Sequence, residues 1–67
     1  MSELFDVVRV DLATKKVALM AVNKSERNAE AIVDMAVIRR GVDDCFYTTV
    51  PNGKYHEGDT YEGGEGA

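Results

Sequence analysis

The sequence predicts an α+β fold, a two-layer ββαβ arrangement in which a three-stranded antiparallel sheet of order 2-1-3 packs against one helix. Three observations lead to it. The stretches LFDVVRVDL (4–12) and VALMAV (17–22) are dense in β-branched and apolar residues, and the first shows a two-residue alternation. NKSERNAEAIVDMAVIRRG (23–41) contains a helix start, a helical run and a helix stop. CFYTTV (45–50) joins aromatic, threonine and valine residues and runs into Pro51, which cannot donate to a sheet ladder.

Each element has its own grounds. In the first strand the alternation puts Leu4, Val8, Val10 and Leu12 on one side and Phe5, Val7, Arg9 and Asp11 on the other. ATKK then supplies polar turn residues. It lacks the Asn-Gly or Asp-Gly pair of a two-residue hairpin, so a loop of three to five residues around Leu12 to Lys15 is expected. The second strand, VALMAV, has apolar groups on both sides. Ser25 is a good N-cap and Glu26 complements the helix dipole in the first turn; Asn23 with Glu26 offers an alternative capping box. Gly41 suits the left-handed position past a helix end, and Arg39 and Arg40 stand near the last free carbonyls. Pro51 and the Asn52-Gly53 pair signal a turn after the third strand, and Tyr55 could add a short return segment.

At 67 residues the chain holds one domain, and one so short buries only about 60% of its unfolded surface. Disulfides or a metal often compensate. Cys45 is the only cysteine and His56 the only histidine, so neither an internal disulfide nor a four-ligand zinc site can form within one chain. The hydrophobic content of 45% and charged content of 30% are those of a globular protein. Residues 1–56 carry 8 acidic and 8 basic side chains, so the net charge of −4 arises wholly from Glu57, Asp59, Glu62 and Glu65. The predicted organisation is therefore a single domain over 1–56 and a flexible acidic, glycine-rich tail over 57–67. A balanced folded part lacks the basic footprint that phosphate-backbone binding needs. No apolar run approaches the roughly 20 residues of a membrane span, and Met1-Ser2-Glu3 does not resemble a secretion signal. A cytoplasmic location is expected.

The helix has too much apolar surface for one small sheet. Ala29, Ile32, Val33, Ala36 and Val37 share the stripe expected to dock on the strands. Ala31, Met35 and Ile38 fall on a second arc, which leaves a narrow polar strip of Arg27, Glu30 and Asp34. Two coverings for that arc are open. One is the loop at Val42 to Asp44 or the segment 51–56; the other is a subunit or partner interface, since an exposed apolar patch rimmed by charge marks association. The strands also look two-sided, so the far face of the sheet needs a cover, for which a second copy of the chain would serve.

Catalytic chemistry is hard to draw from these residues. Cys45 and His56 are the only nucleophile–base pair. A strand and a turn separate them, so Cys45 reads as a packed hydrophobe and His56 as a turn residue. Asp43-Asp44 reads as solvated loop, without a second acidic pair to complete an oxygen-ligand metal site. No glycine-rich nucleotide motif is present. No cofactor is expected. Arg39 and Arg40 could read a carboxylate or phosphate partner, and Tyr47 could offer a stacking surface.

The phrases NAEAIV, RRGV and VP.G.Y..GD, within SERNAEAIVDMAVIRRGVDDCFYTTVPNGKYHEGD, resemble uncharacterised small proteins encoded by bacteriophages and prophages. The resemblance covers about half the chain. It implies a role in binding and modulating a host enzyme or defence factor, inside the host cytoplasm for a phage-encoded protein. The expected function is thus a non-enzymatic protein-interaction module, self-associating as a homodimer, binding a host protein, or both. Its candidate interface is Ala31, Met35, Ile38, Arg39, Arg40 and Tyr47. The alternative is a small nucleic-acid-binding accessory domain using Arg39 and Arg40 with Lys15 and Lys16.

Overall fold

The computed structural model describes residues 3–62. Four elements follow in order: β1 (Phe5–Asp11), β2 (Val17–Lys24), α1 (Glu26–Arg40) and β3 (Cys45–Pro51). The strands form one antiparallel sheet of order β2-β1-β3, packed against the helix. The predicted ββαβ fold is the one observed.

β1 takes the centre because its side chains tolerate burial on both faces. Val7 on the helix side and Val8 and Val10 on the far side are all 0% exposed. The loop to β2 obtains its turn geometry from Asp11, whose carboxylate accepts the N–H groups of Ala13 and Thr14 at 2.8 and 3.1 Å. Those two bonds also hold the Asp11 carboxyl below its ordinary pKa. Such a side-chain-closed turn replaces the missing Asn-Gly pair, and Lys15 takes the positive φ of 65°. Further along, the β1–β2 register slips on both sides of Val7. Asn23 takes a φ of 59° there, so β2 is bulged where it leaves the sheet toward the helix.

Ser25 caps α1, its hydroxyl accepting the Asn28 N–H at 3.3 Å, with Glu26 in the first turn and Arg39 and Arg40 in the last. The sequence places Gly41 in the left-handed region. The observed φ of 80° and ψ of 177° instead fall in an extended positive-φ region that is essentially glycine-only. This lets the chain turn directly from the helix into the approach to β3, while the Gly41 N–H closes on Val37 O at 3.1 Å.

Two apolar clusters lie on opposite sides of the sheet. On the helix side Ala36, Cys45 and Tyr47 pack with Met20 and Val33. Ala29 and Ala36 are the buried helical residues, and Ile32 and Val33 are half-buried. Val37, expected in the docking stripe, is 41% exposed. Three strands spaced about 4.8 Å apart form a sheet scarcely wider than a helix, so only the central alanines are fully covered.

The far side corrects the expectation of a second copy as its cover. Val8, Val10, Val17 and Val50 pack with Tyr55 of the same chain, joined by Leu19, Phe46 and Tyr61. The rings of Phe46 and Tyr61 meet edge-on at 5.4 Å, and those of Tyr55 and Tyr61 lie 5.4 Å apart. The fold therefore runs past the boundary drawn at His56. Val17 N–H donates to Asp59 O, Gly58 N–H to Val17 O and Tyr61 N–H to Lys15 O, each at 2.8 Å. Glu57 Oε1 also accepts the Leu19 N–H at 2.8 Å. Residues 57–62 thus follow the outer edge of β2 as an extra strand-like strap, because glycine and acidic composition says nothing about two tyrosines that need burial. The remainder of the predicted tail, 63–67, lies outside the described residues.

Asp6 ties the other end together. It is 2% exposed and accepts from Asn23 N–H at 3.1 Å, Asn52 Nδ2 at 2.7 Å and Gly53 N–H at 3.0 Å. Burial pushes its carboxyl up, but the bonds from Gly53, Asn52 and Asn23 together outweigh that and hold it below its ordinary pKa. Its contribution to stability is complete above the unfolded value and is lost as pH falls below about 4. Asp6→Asn puts an amide donor among donors and should cost about 1.5–3 kcal/mol in urea unfolding at neutral pH. The gap between variant and parent should narrow as pH falls below about 4. Tyr61→Ala should cost about 2–3 kcal/mol by the same measurement, whereas a chain whose fold ended at His56 would show no change.

Candidate protein-interaction surface

Helical geometry separates the two flanks of α1. At about 100° per residue, Glu30, Val33 and Asp34 share one flank, and these three line a groove with Tyr47, Thr48 and Thr49 of β3. Ala31 and Met35 occupy the opposite flank, and Ile38 points nearly away from the sheet. Ala31 is exposed, Met35 is 47% exposed and Ile38 is 78% exposed. Neither covering from the same chain is realised: Val42 is itself 48% exposed, and the segment after Pro51 goes to the far side of the sheet. The second apolar arc therefore faces solvent, with Arg39 and Arg40 exposed at its end.

Tyr47 does not belong to that surface. It is 8% exposed and packs under the helix with Ala36 and Cys45, because its position in β3 directs the side chain to the helix side. The neighbouring Cys45 thiol and burial push its phenol above its ordinary pKa. Cys45 is 4% exposed, with its thiol 4.0 Å from Gly41 O. His56 lies beyond the other cluster, its ring 3.6 Å from Asp59. The sheet stands between Cys45 and His56.

An open recess of about 470 Å³ beside the helix C-terminus is lined by Arg9, Arg40, Gly41, Asp43, Asp44, Cys45 and Tyr47. Two cations and two anions share its rim, with Arg9 at 3.9 Å from Asp44, so the rim favours neither sign of ligand. Lys15 and Lys16 do not extend a basic patch either. Lys16 pairs with Thr60, and the strap beside it carries Glu57, Asp59 and Glu62. This interleaving lowers the net positive charge along that edge.

Among the described residues no group of three or more His, Cys, Asp or Glu side chains could hold a metal ion, and no helix is long and apolar enough to cross a membrane. No protein-family model, curated protein or solved structure matches the chain.

Burial makes Cys45 a reporter of opening. A thiol reagent should label it in proportion to the transiently open fraction, so adding denaturant below the unfolding midpoint should accelerate labelling. Labelling at the rate of a free thiol in native buffer would mark Cys45 as accessible.

Proposed function

We propose that this protein is a non-enzymatic binding module acting in the cytoplasm, and that Ala31, Met35 and Ile38 are its contact surface, rimmed by Arg39 and Arg40. The observation that carries the reading is the exposure of Ile38 and Met35 on one arc, at 78% and 47%. A chain of this size has little apolar surface to leave in water without a use. Two large apolar side chains at i and i+3 on a helix flank, with arginines beside them, have the composition of an interface core and its rim. The resemblance to phage-encoded proteins supports a host protein as the occupant. A homodimer through the same arc is the simpler arrangement, since a two-fold axis would bring Met35 and Ile38 against their own copies.

The double variant Met35→Asp, Ile38→Asp separates binding from folding. Both residues are exposed, so the variant should unfold within about 0.5 kcal/mol per site of the parent. Its mass by light scattering should be that of a monomer, and it should lose any partner that the parent retains. A parent that is monomeric at every concentration and retains no protein through this face would rule the proposal out.

A further inference from the structure

The two outer edges of the sheet are treated differently by the chain. The first half of the β2 edge is closed by the strap, through bonds to Lys15, Val17 and Leu19. No described segment lies along β3. Its pairing with β1 fixes which of its backbone groups are left over. Leu12 N–H donates to Asp44 O at 3.0 Å and Asn52 N–H to Leu4 O at 3.1 Å, and these pairs share the register of Val10 with Phe46 and Val8 with Thr48. In an antiparallel ladder the alternate residues then direct N–H and C=O away from the partner. Those are Cys45, Tyr47, Thr49 and Pro51.

Pro51 has no N–H to offer, which suits an outward position at the end of an edge. Tyr47 and Thr49 retain theirs, and no backbone partner meets them. Beside them runs the groove between β3 and α1, about 290 Å³, with Val33 in its wall and Glu30 and Asp34 on its rim. The ion pairs of the described residues are Arg9 with Asp44 and His56 with Asp59, so neither rim carboxylate is held in a salt bridge.

The geometry points to the β3 edge as a docking site for an extended basic segment of another protein, added as a fourth strand beside Tyr47 and Thr49. Main-chain bonds to those residues hold the segment, as in strand-addition complexes generally. Alternate side chains of such a strand project on the helix side, where lysines or arginines meet Glu30 and Asp34, their aliphatic stems passing Val33, and the residues between them project to the far face. Charge decides against a second copy as the occupant. Antiparallel pairing of two β3 strands places both helices on one face, with Glu30 and Asp34 turned toward their own counterparts, and like charges so placed repel. This surface is separate from the Met35 and Ile38 arc and does not depend on the function proposed for it.

The probe is a blocked peptide alternating lysine and valine, of the 7 residues of β3, titrated to millimolar against the amide spectrum of the full chain. A glutamate–valine peptide of equal length is the control. The basic peptide should shift the Tyr47 and Thr49 amides and slow their hydrogen exchange, and the acidic one should not. Thr49→Pro removes an outward N–H without touching the β1 ladder and should abolish the effect. Glu30→Lys with Asp34→Lys changes only exposed side chains and should weaken binding roughly tenfold, which keeps the test decisive should the proline variant fail to fold. The inference is overturned if neither peptide shifts these amides, if both do so equally, or if the shifts centre on Met35 and Ile38. Concentration-dependent protection of Tyr47 and Thr49 in the peptide-free chain would also overturn it, since a second copy would then hold the edge.

Discussion

The burial of β1 on both faces is the constraint from which the rest of the structure follows. Val7 on one side and Val8 and Val10 on the other are wholly removed from water, and at about 25 cal/mol per Å² this burial is a leading favourable term in so small a chain. A central strand with two apolar faces needs two covers. A 15-residue helix supplies the first. Two tyrosines on the segment after β3 supply the second, and the acidic composition of that segment conceals its part in the core.

The second cover also explains features that otherwise look incidental. To bring Tyr55 and Tyr61 under Val8, Val10 and Val50, the chain must reverse after Pro51. Asn52 and Gly53 make that reversal, and Asp6 fixes it by accepting from both while also binding the Asn23 N–H. A buried carboxylate is costly unless its oxygens are satisfied. Here three donors converge from the β2 end and the turn after β3, so one acid joins chain ends that do not neighbour each other in the sheet. Once the tyrosines are seated, the strap necessarily runs past β2, and Glu57 is carried to the free N–H of Leu19.

Much of this was legible in the sequence. Ser25, Gly41 and Pro51 mark their boundaries by local chemistry, and the alternation in β1 with the intervening helix leaves few topologies besides 2-1-3. The second helical arc was visible from spacing alone, as was its excess over what one sheet covers. What escaped was non-local. Nothing local marks Asp6 as buried, since the donors that satisfy it, Asn52 and Gly53, arrive from far along the chain. Tyr47 alternates with its neighbours whichever face is inward, so its burial depends on which side the helix takes. Residues 57–62 look like a tail because Tyr61 is their one large apolar side chain, and the bonds that Glu57, Gly58 and Asp59 make to β2 leave no mark in the composition.

The uncovered surfaces lie where the chain has run out of cover. Three strands and one helix leave two margins, and the only remaining segment of the described chain is committed to the β2 side by the position of Tyr61 over Phe46 and Tyr55. The helix leans toward β3, against which it packs most closely, and away from β2. Leaning this way sets Glu30 and Asp34 above the open β3 edge and swings Met35 and Ile38 out over the opposite margin. The apolar arc and the hydrogen-bonding edge are therefore products of one packing choice, and they face away from each other. Their positions do not overlap, so covering the arc would leave the edge exposed, and covering the edge would leave the arc exposed.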